Sequence, residues 1–166
     1  VAGSVAVSLR TKFPLAGLFF GALASSIPLL TGHASMNHKD SPVASGFLLV
    51  ASAMIIRSTA RGRLGAVGAH ALLAGGIFIV VGQRPSAVAL VLGLAGIDLF
   101  AQLVGNKTGA LAHLLSRIGF WLAGLAVAGF FVILTNPFAR AGGLPWLVGA
   151  VTYQSEYPWN GQIRFA

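Results

Sequence analysis

Three polar residues lie inside segments that are otherwise apolar: His70, Asp98 and Gln102. Asp98 is one of only three acidic residues in the chain, with Asp40 and Glu156. An ionisable side chain at membrane depth costs about 2.5–3.5 kcal/mol on insertion scales, so it predicts a specific polar contact or a functional site. Gln102 follows Asp98 by four residues, and the two therefore share one face of a helix.

The depth of the two ionisable residues suggests that they meet. Counted from the same end of their predicted helices, His70 is about 9 Å deep and Asp98 about 10 Å deep, at a rise of about 1.5 Å per residue. The two helices are joined by the short link QRPS at 83–86, so they are expected to form an antiparallel hairpin. We therefore expect the carboxylate of Asp98 to accept a hydrogen bond from the imidazole of His70.

Three interpretations of this group remain open. In the one we favour, His70, Asp98 and Gln102 form a buried polar group that fixes the register of the hairpin. In the second, the same residues form a proton relay or bind a quinone headgroup. In the third, His70 is an axial ligand of a chlorophyll or haem, because imidazole is a common metal ligand.

The composition determines the environment of these residues. The 166 residues are 56% hydrophobic and 8% charged, with a mean hydropathy of +0.84. Soluble domains contain about a quarter charged residues, so residues 1–166 are predicted to form a single integral membrane domain. The net charge of +8 comes from scattered basic residues, which excludes a nucleic-acid surface. The absence of cysteine excludes disulfides and thiolate metal sites.

The predicted fold class is an all-α, multi-pass transmembrane helical bundle. A crossing helix needs about 20 mostly apolar residues, and five segments qualify: 14–32, 43–60, 64–82, 87–105 and 118–138. The second segment spans only if Arg57 snorkels to the surface; if it is re-entrant, the count is four. The amphipathic stretch 110–117 is expected to lie at the interface. The C-terminal segment 143–153 is too short to span and is also expected to be interfacial.

Small residues predict how the helices pack, because helix association in lipid relies on close approach of small side chains. The predicted packing residues are Gly17, Gly21 and Ser25 in the first span, Gly65 and Ala69 in the third, and Gly124 and Ala128 in the fifth. We interpret these stripes as contacts within the bundle, with docking onto another subunit as the alternative.

The basic residues predict topology and lipid contacts. The predicted headgroup contacts are Arg57, Arg61, Arg63 and Arg117. The N-terminal side receives Arg10, Lys12, Arg57, Arg61, Arg63, Lys107 and Arg117, whereas the opposite side receives Lys39, Arg84, Arg140 and Arg164. This excess places the N-terminus in the cytoplasm, matrix or stroma. The expected location is an organellar inner membrane, a thylakoid or a bacterial inner membrane.

Motifs for metal binding and catalysis are scarce. The loop at 33–40 carries His33, His38 and Asp40, but a closed structural zinc site usually takes four ligands, so no metal is predicted. The sequence contains no phosphate-binding loop, no GxSxG, no HExxH and no pair of carboxylates in an apolar segment. The chain is therefore not expected to be an enzyme.

Two functions are compatible with these observations. The first is a non-catalytic integral membrane subunit of a larger bioenergetic complex (respiratory, photosynthetic or ATP-synthesising). Its partners would be membrane lipids and other integral membrane subunits, and chlorophyll, haem and lipid are its candidate cofactors. The alternative is a small transporter or a proton- or quinone-handling protein acting through Asp98 and His70. Transporters usually show an internal duplication, which is absent here and favours the first.

Overall fold

The computed structural model describes residues 40–59, 62–105 and 110–156, together with Ser8, Leu15 and Gly17. The three continuous ranges are helical and contain no β-strand. Their helices are α1 (Asp40–Thr59), α2 (Arg63–Gln83), α3 (Val88–Gly105), α4 (Ala110–Thr135) and α5 (Pro137–Glu156), with a short 3-10 turn at Pro85–Ala87. The predicted all-α class is confirmed for this part of the chain.

Four segments are long and apolar enough to cross a membrane: Ser41–Thr59, Arg63–Gln83, Pro85–Gly105 and Leu111–Thr135. They indicate an integral membrane protein, because about 20 apolar residues match the thickness of the hydrocarbon core. The segment predicted at 43–60 is part of one continuous helix. The span predicted at 14–32 lies outside the described residues except for Leu15 and Gly17.

Helices α1 and α2 form the most extensive interface of the described residues, and two glycines allow it. A Cβ atom added at Gly46 would lie 2.8 Å from the carbonyl oxygen of Gly76. One added at Gly76 would lie 2.7 Å from the carbonyl oxygen of Gly46 and 3.0 Å from the backbone nitrogen of Val50. The two backbones are therefore in contact, and only glycine fits at either position.

Helix α4 packs against α2. A Cβ atom at Gly124 would lie 2.5 Å from Cδ2 of Leu73 on α2, which itself is fully buried. Ala69 and Ala128 are buried beside this contact, and Gly65 is half-buried. Of the stripe predicted in the first span, Gly17 is buried. Gly21 and Ser25 lie outside the described residues.

The bounds of α4 differ from the predicted span at 118–138. The helix begins at Ala110 and so includes the amphipathic stretch 110–117. It ends at Thr135, because Asn136 and Pro137 start the next helix. The Oδ1 atom of Asn136 accepts hydrogen bonds from the backbone N–H groups of Phe138, at 2.9 Å, and Ala139, at 3.2 Å. Asparagine at the N-cap followed by proline at the first helical position is a strong helix start.

Helix α5 contains a sharp bend. Gly143 has φ 57° and ψ −142°, a conformation that favours glycine. Pro145 follows within the same helix and removes one backbone donor from its first turn after the bend. The C-terminal segment predicted at 143–153 is thus helical, and its position at the membrane interface stays a prediction.

Candidate functional site

Asp98 is the centre of a polar cluster between α3 and α4. Its side chain is buried, and its Oδ2 atom accepts a hydrogen bond of 2.9 Å from Nε1 of Trp121. Its other carboxylate oxygen, Oδ1, lies 3.6 Å from Nη2 of Arg117, which is also buried. We call Asp98, Arg117 and Trp121 the polar clasp. Both oxygens of the carboxylate are engaged by a donor from α4.

The register of the two helices brings these residues together. Asp98 lies seven residues before the end of α3 at Gly105, and Arg117 lies seven residues after the start of α4 at Ala110. In an antiparallel pair joined by a short link, such positions are at the same level. Trp121 is four residues beyond Arg117 and therefore points from the same face of α4, one turn deeper.

The charged members of the clasp are largely shielded from water. Arg117 is 7% exposed and Asp98 is 6% exposed, so water screens their attraction little. The guanidinium of Arg117 also lies over the ring of Phe120, with 5.9 Å between Cζ and the ring centroid, within the range of cation–π contacts. Removing one member of such a pair leaves a buried charge without its partner, which costs far more than the pair contributes.

The contact predicted between His70 and Asp98 is absent from the described residues: neither a hydrogen bond nor an ion pair joins them. The Nδ1 atom of His70 lies 2.7 Å from the carbonyl oxygen of Ala66, four residues earlier in α2. Its ring meets Phe120 edge-on, with 4.9 Å between the centroids. Asp98 turns to α4 rather than to α2. Depth counted along a helix carries no information about which face of the helix a residue occupies.

The bond to Ala66 determines the tautomer of His70. A carbonyl oxygen only accepts, so Nδ1 must carry the proton, and in a neutral ring Nε2 keeps its lone pair. This tautomer is the one an Nε2 metal ligand requires. A role for His70 as a pigment or haem ligand stays a prediction.

Gln102, the third residue of the predicted group, lines a polar cleft beside the clasp. The cleft has a volume of about 320 Å³ and lies between α1, α3 and α4, at the end of the bundle where α1 and α3 end and α4 begins. We call it the cationic cleft. Its lining residues are Arg57, Ser58, Gln102, His113, Ser116 and Arg117.

The two arginines of the cleft keep unused donors. Nη2 of Arg57 donates a hydrogen bond of 2.7 Å to Oγ of Ser116. However, Nε of Arg57 and Nη1 of Arg117 are buried without a hydrogen-bond partner. Buried charged donors without a partner are rare and costly. The cleft is therefore suited to an acceptor ligand.

The predicted headgroup contacts have different surroundings. Arg117 is buried and ion-paired with Asp98, and its contact with a lipid headgroup stays a prediction. The sequence predicted Arg117 to lie near the surface, because the spanning helix was expected to begin at Ile118, the residue after it. The helix instead begins at Ala110. Arg57 is half-buried and Arg63 is exposed. Arg61 lies outside the described residues.

No known protein family, curated protein or solved structure matches this chain. The geometry must therefore be interpreted from its own residues. Within residues 40–59, 62–105 and 110–156, no group of three or more His, Cys, Asp or Glu side chains is placed to hold a metal ion. The loop histidines His33 and His38 lie outside these ranges.

A second cavity is apolar and lies toward the opposite end of the bundle. It has a volume of about 280 Å³, and its walls come from α2, α4 and α5 and from Val88 at the start of α3. They include Ile77, Val81, Leu125, Ala128 and Trp146. A cavity with these walls suits hydrocarbon, and it offers little to orient a polar ligand.

Sequence reasoning missed Trp121 and Ser116, and a usable signal existed only for Trp121. Trp121 follows Arg117 by four residues, which puts an indole N–H and a guanidinium on one face of α4. Ser116 has no comparable signal, because a serine near a helix end is common and its partner, Arg57, is 59 residues away.

Proposed function

We propose that this chain is a non-catalytic integral membrane subunit of a larger bioenergetic membrane complex, which packs against neighbouring subunits and binds lipid. The observation that carries the proposal is the small buried share of its apolar helices. Only 22–33% of the residues in each apolar window are buried within the described chain. Most of each helix surface is therefore available to lipid and to other helices.

Glycines on these outer surfaces favour helices as neighbours. Gly68, Gly75 and Gly82 follow each other at seven-residue intervals along one face of α2. A Cβ atom at any of them would meet no described atom within 4 Å. Gly93 and Gly96 on α3 are equally open. Such surfaces let another helix approach its backbone closely, which is the main source of helix association in lipid.

The polar clasp supports a structural role for the only carboxylate in the described apolar windows. Asp98 is held by a guanidinium on one oxygen and an indole N–H on the other. A carboxylate so engaged links α3 to α4. The sequence also contains no second carboxylate in an apolar segment to continue a relay.

Native electrophoresis tests the proposal. The full chain, tagged and solubilised from its own membrane in a mild detergent, should migrate within a larger assembly that contains the same set of membrane proteins in repeated purifications. Gly75→Leu should detach it, because the added side chain blocks the outer face of α2. Gly75→Ala is the matched control and should stay in the assembly. A stable free chain that conducts ions in liposomes would contradict the proposal.

A proton- or quinone-handling protein is the second candidate, and the cationic cleft beside Asp98 favours it. A quinone analogue should then protect the purified chain against thermal unfolding, and Asp98→Asn should remove the protection. The absorbance spectrum of the same preparation tests the pigment proposal for His70. A haem or chlorophyll band that disappears in His70→Ala would assign the ligand, and a preparation without such a band would reject it.

A further inference from the structure

The cationic cleft has an electrostatic excess that the described residues leave uncompensated. Arg57 and Arg117 both line it, while the carboxylate closest to them, Asp98, is already engaged by Arg117 and Trp121. With His113 neutral, the two arginines and Asp98 sum to a local charge of +1. A positively charged, partly desolvated cleft attracts an anion more strongly than an exposed basic residue does.

Two arginine side chains that each keep an unpartnered buried donor meet at the cleft. Nε of Arg57 and Nη1 of Arg117 come from different helices, α1 and α4, and both belong to side chains that line the cleft. A ligand that accepts from both would bridge the two helices. The hydroxyl groups of Ser58 and Ser116 line the same space.

A phosphate group fits this donor set better than a neutral carbonyl compound. Arginine presents planar, fixed donors that match the oxygens of phosphate, and hydrogen bonds between two charged groups are about twice as strong as neutral ones. Phosphate also offers several acceptor oxygens, which can serve donors on two sides of a cleft. A quinone carbonyl would leave the local positive charge uncompensated.

The position of the cleft agrees with this ligand. Arg57 lies two residues before the end of α1, which is about 3 Å along the helix axis. Ser116 and Arg117 lie within two turns of the start of α4. The cleft thus lies toward one end of the bundle, and basic pockets between membrane helices near a bilayer surface bind anionic headgroups.

We propose that the cationic cleft binds a phosphate group between Arg57 of α1 and Arg117 of α4. The group is either the phosphodiester of an anionic phospholipid or a free phosphate. The bound phosphate accepts from the guanidinium groups of Arg57 and Arg117, and it joins α1 to the α3–α4 pair. This site is independent of whether the chain is a complex subunit.

Binding measurements on the purified full chain in a nonionic detergent test the site. The ligands are short-chain phosphatidylglycerol, short-chain phosphatidylcholine and sodium phosphate. The variant is Arg57→Gln, and the matched control is Arg63→Gln, which removes an exposed arginine at the same end of the bundle. Arg57→Lys and Ser116→Ala serve as second variants if Arg57→Gln does not fold.

We expect saturable binding of phosphatidylglycerol that Arg57→Gln weakens at least about tenfold, since it removes a charge-assisted donor. Arg63→Gln should bind like the parent chain. Arg57→Lys should lose most of the affinity, because lysine cannot replace a planar fork. Ser116→Ala should keep most of it, since the serine receives a bond from Arg57 but carries no charge.

Sodium phosphate separates the two sources. If it competes with phosphatidylglycerol and binds alone, the site takes free phosphate; if only the lipid binds, the headgroup is the ligand. Three results would overturn the proposal: no saturable binding of either anion, equal affinities for phosphatidylglycerol and phosphatidylcholine, or equal effects of Arg57→Gln and Arg63→Gln. Failure of this test would leave comigration with a complex unaffected.

Discussion

The two helix pairs of this chain are held together in opposite ways. In the α1–α2 pair, Gly46 and Gly76 bring the backbones into direct contact, and no ion pair or side-chain hydrogen bond between the two helices occurs in their described residues. In the α3–α4 pair the interface is less extensive. There a buried carboxylate on α3 holds a guanidinium and an indole on α4.

This difference shows two solutions to the same problem. Hydrophobic burial contributes little to helix association in a bilayer, so a pair needs either close backbone packing or specific polar contacts. The first solution depends on shape, so a single added methyl group should disturb it. The second depends on chemical partners, so the loss of one partner should be costly, whereas the loss of both should be tolerated.

The largest expected effect is that of Asp98→Ala, which leaves the guanidinium of Arg117 buried without its carboxylate. We expect a loss of about 3–5 kcal/mol in the free energy of unfolding, measured by titrating the purified chain from mild detergent into sodium dodecyl sulfate. Ile97→Ala is the control, because the neighbouring side chain is 65% exposed. It should change the stability by about 0.5 kcal/mol or less. Equal effects of the two substitutions would show that the clasp contributes nothing.

Trp121→Phe should have the next largest effect on the α3–α4 pair. It keeps an aromatic ring but removes the N–H that donates to Asp98. The loss of one hydrogen bond to a charged group predicts a cost of about 1.5–3 kcal/mol in the same titration. Trp146→Phe is the matched control, since the half-buried Trp146 packs against the apolar core. A cost for Trp121→Phe no larger than that of the control would contradict the hydrogen bond.

Gly76→Ala tests the other pair. Its Cβ would approach backbone atoms of α1, at Gly46 and Val50, which cannot move aside as a side chain could. Overpacking costs about 1–3 kcal/mol in the free energy of unfolding. The better helix propensity of alanine offsets about 1 kcal/mol of this cost. We therefore expect a net loss of up to about 2 kcal/mol. Gly75→Ala, which meets no described atom within 4 Å, should be neutral or stabilising by up to about 1 kcal/mol. Identical results at the two positions would refute the backbone contact.

The smallest expected effect on stability is that of a substitution between α4 and α5. Asn136→Ala removes the side chain that caps α5 through Phe138 and Ala139. Loss of an N-cap costs about 0.5–2 kcal/mol, and Asn136→Asp, which caps equally well, should restore it. In the unfolding titration, Asn136→Ala should be less stable than the parent chain, and Asn136→Asp should match the parent chain. An unchanged stability in Asn136→Ala would mean that Pro137 alone sets the start of α5.

The sequence predicted the apolar helices well, because long apolar segments and their flanking residues are local signals. The segments predicted at 64–82 and 87–105 differ from α2 and α3 by about one residue at each end. The prediction was less accurate at 118–138. An Asn-Pro start for α5 was not recognised, and the amphipathic first turns were separated from the helix to which they belong.

The partners of Asp98 were harder to predict. Depth along a helix can be counted from the sequence, but the face that a residue occupies depends on which helices are neighbours. The prediction used the α2–α3 link and paired Asp98 with His70. In the structure Asp98 instead pairs with Arg117 of α4, which lies as many residues after the start of α4 as Asp98 lies before the end of α3. The Gly46–Gly76 contact was missed for a related reason. One glycine lies on α1 and the other on α2, so the contact cannot be recognised without knowing that these two helices are neighbours.

We infer that Asp98 acts as a structural partner of Arg117. A double-mutant cycle tests it most directly, with Asp98→Leu, Arg117→Leu and the double variant measured in the same unfolding titration. Each single variant should be strongly destabilised, and the double variant should be close to the parent chain, which gives a coupling of at least about 2 kcal/mol. Additive effects, with a coupling below about 0.5 kcal/mol, would contradict the claim and return Asp98 to the proton- or quinone-handling alternative.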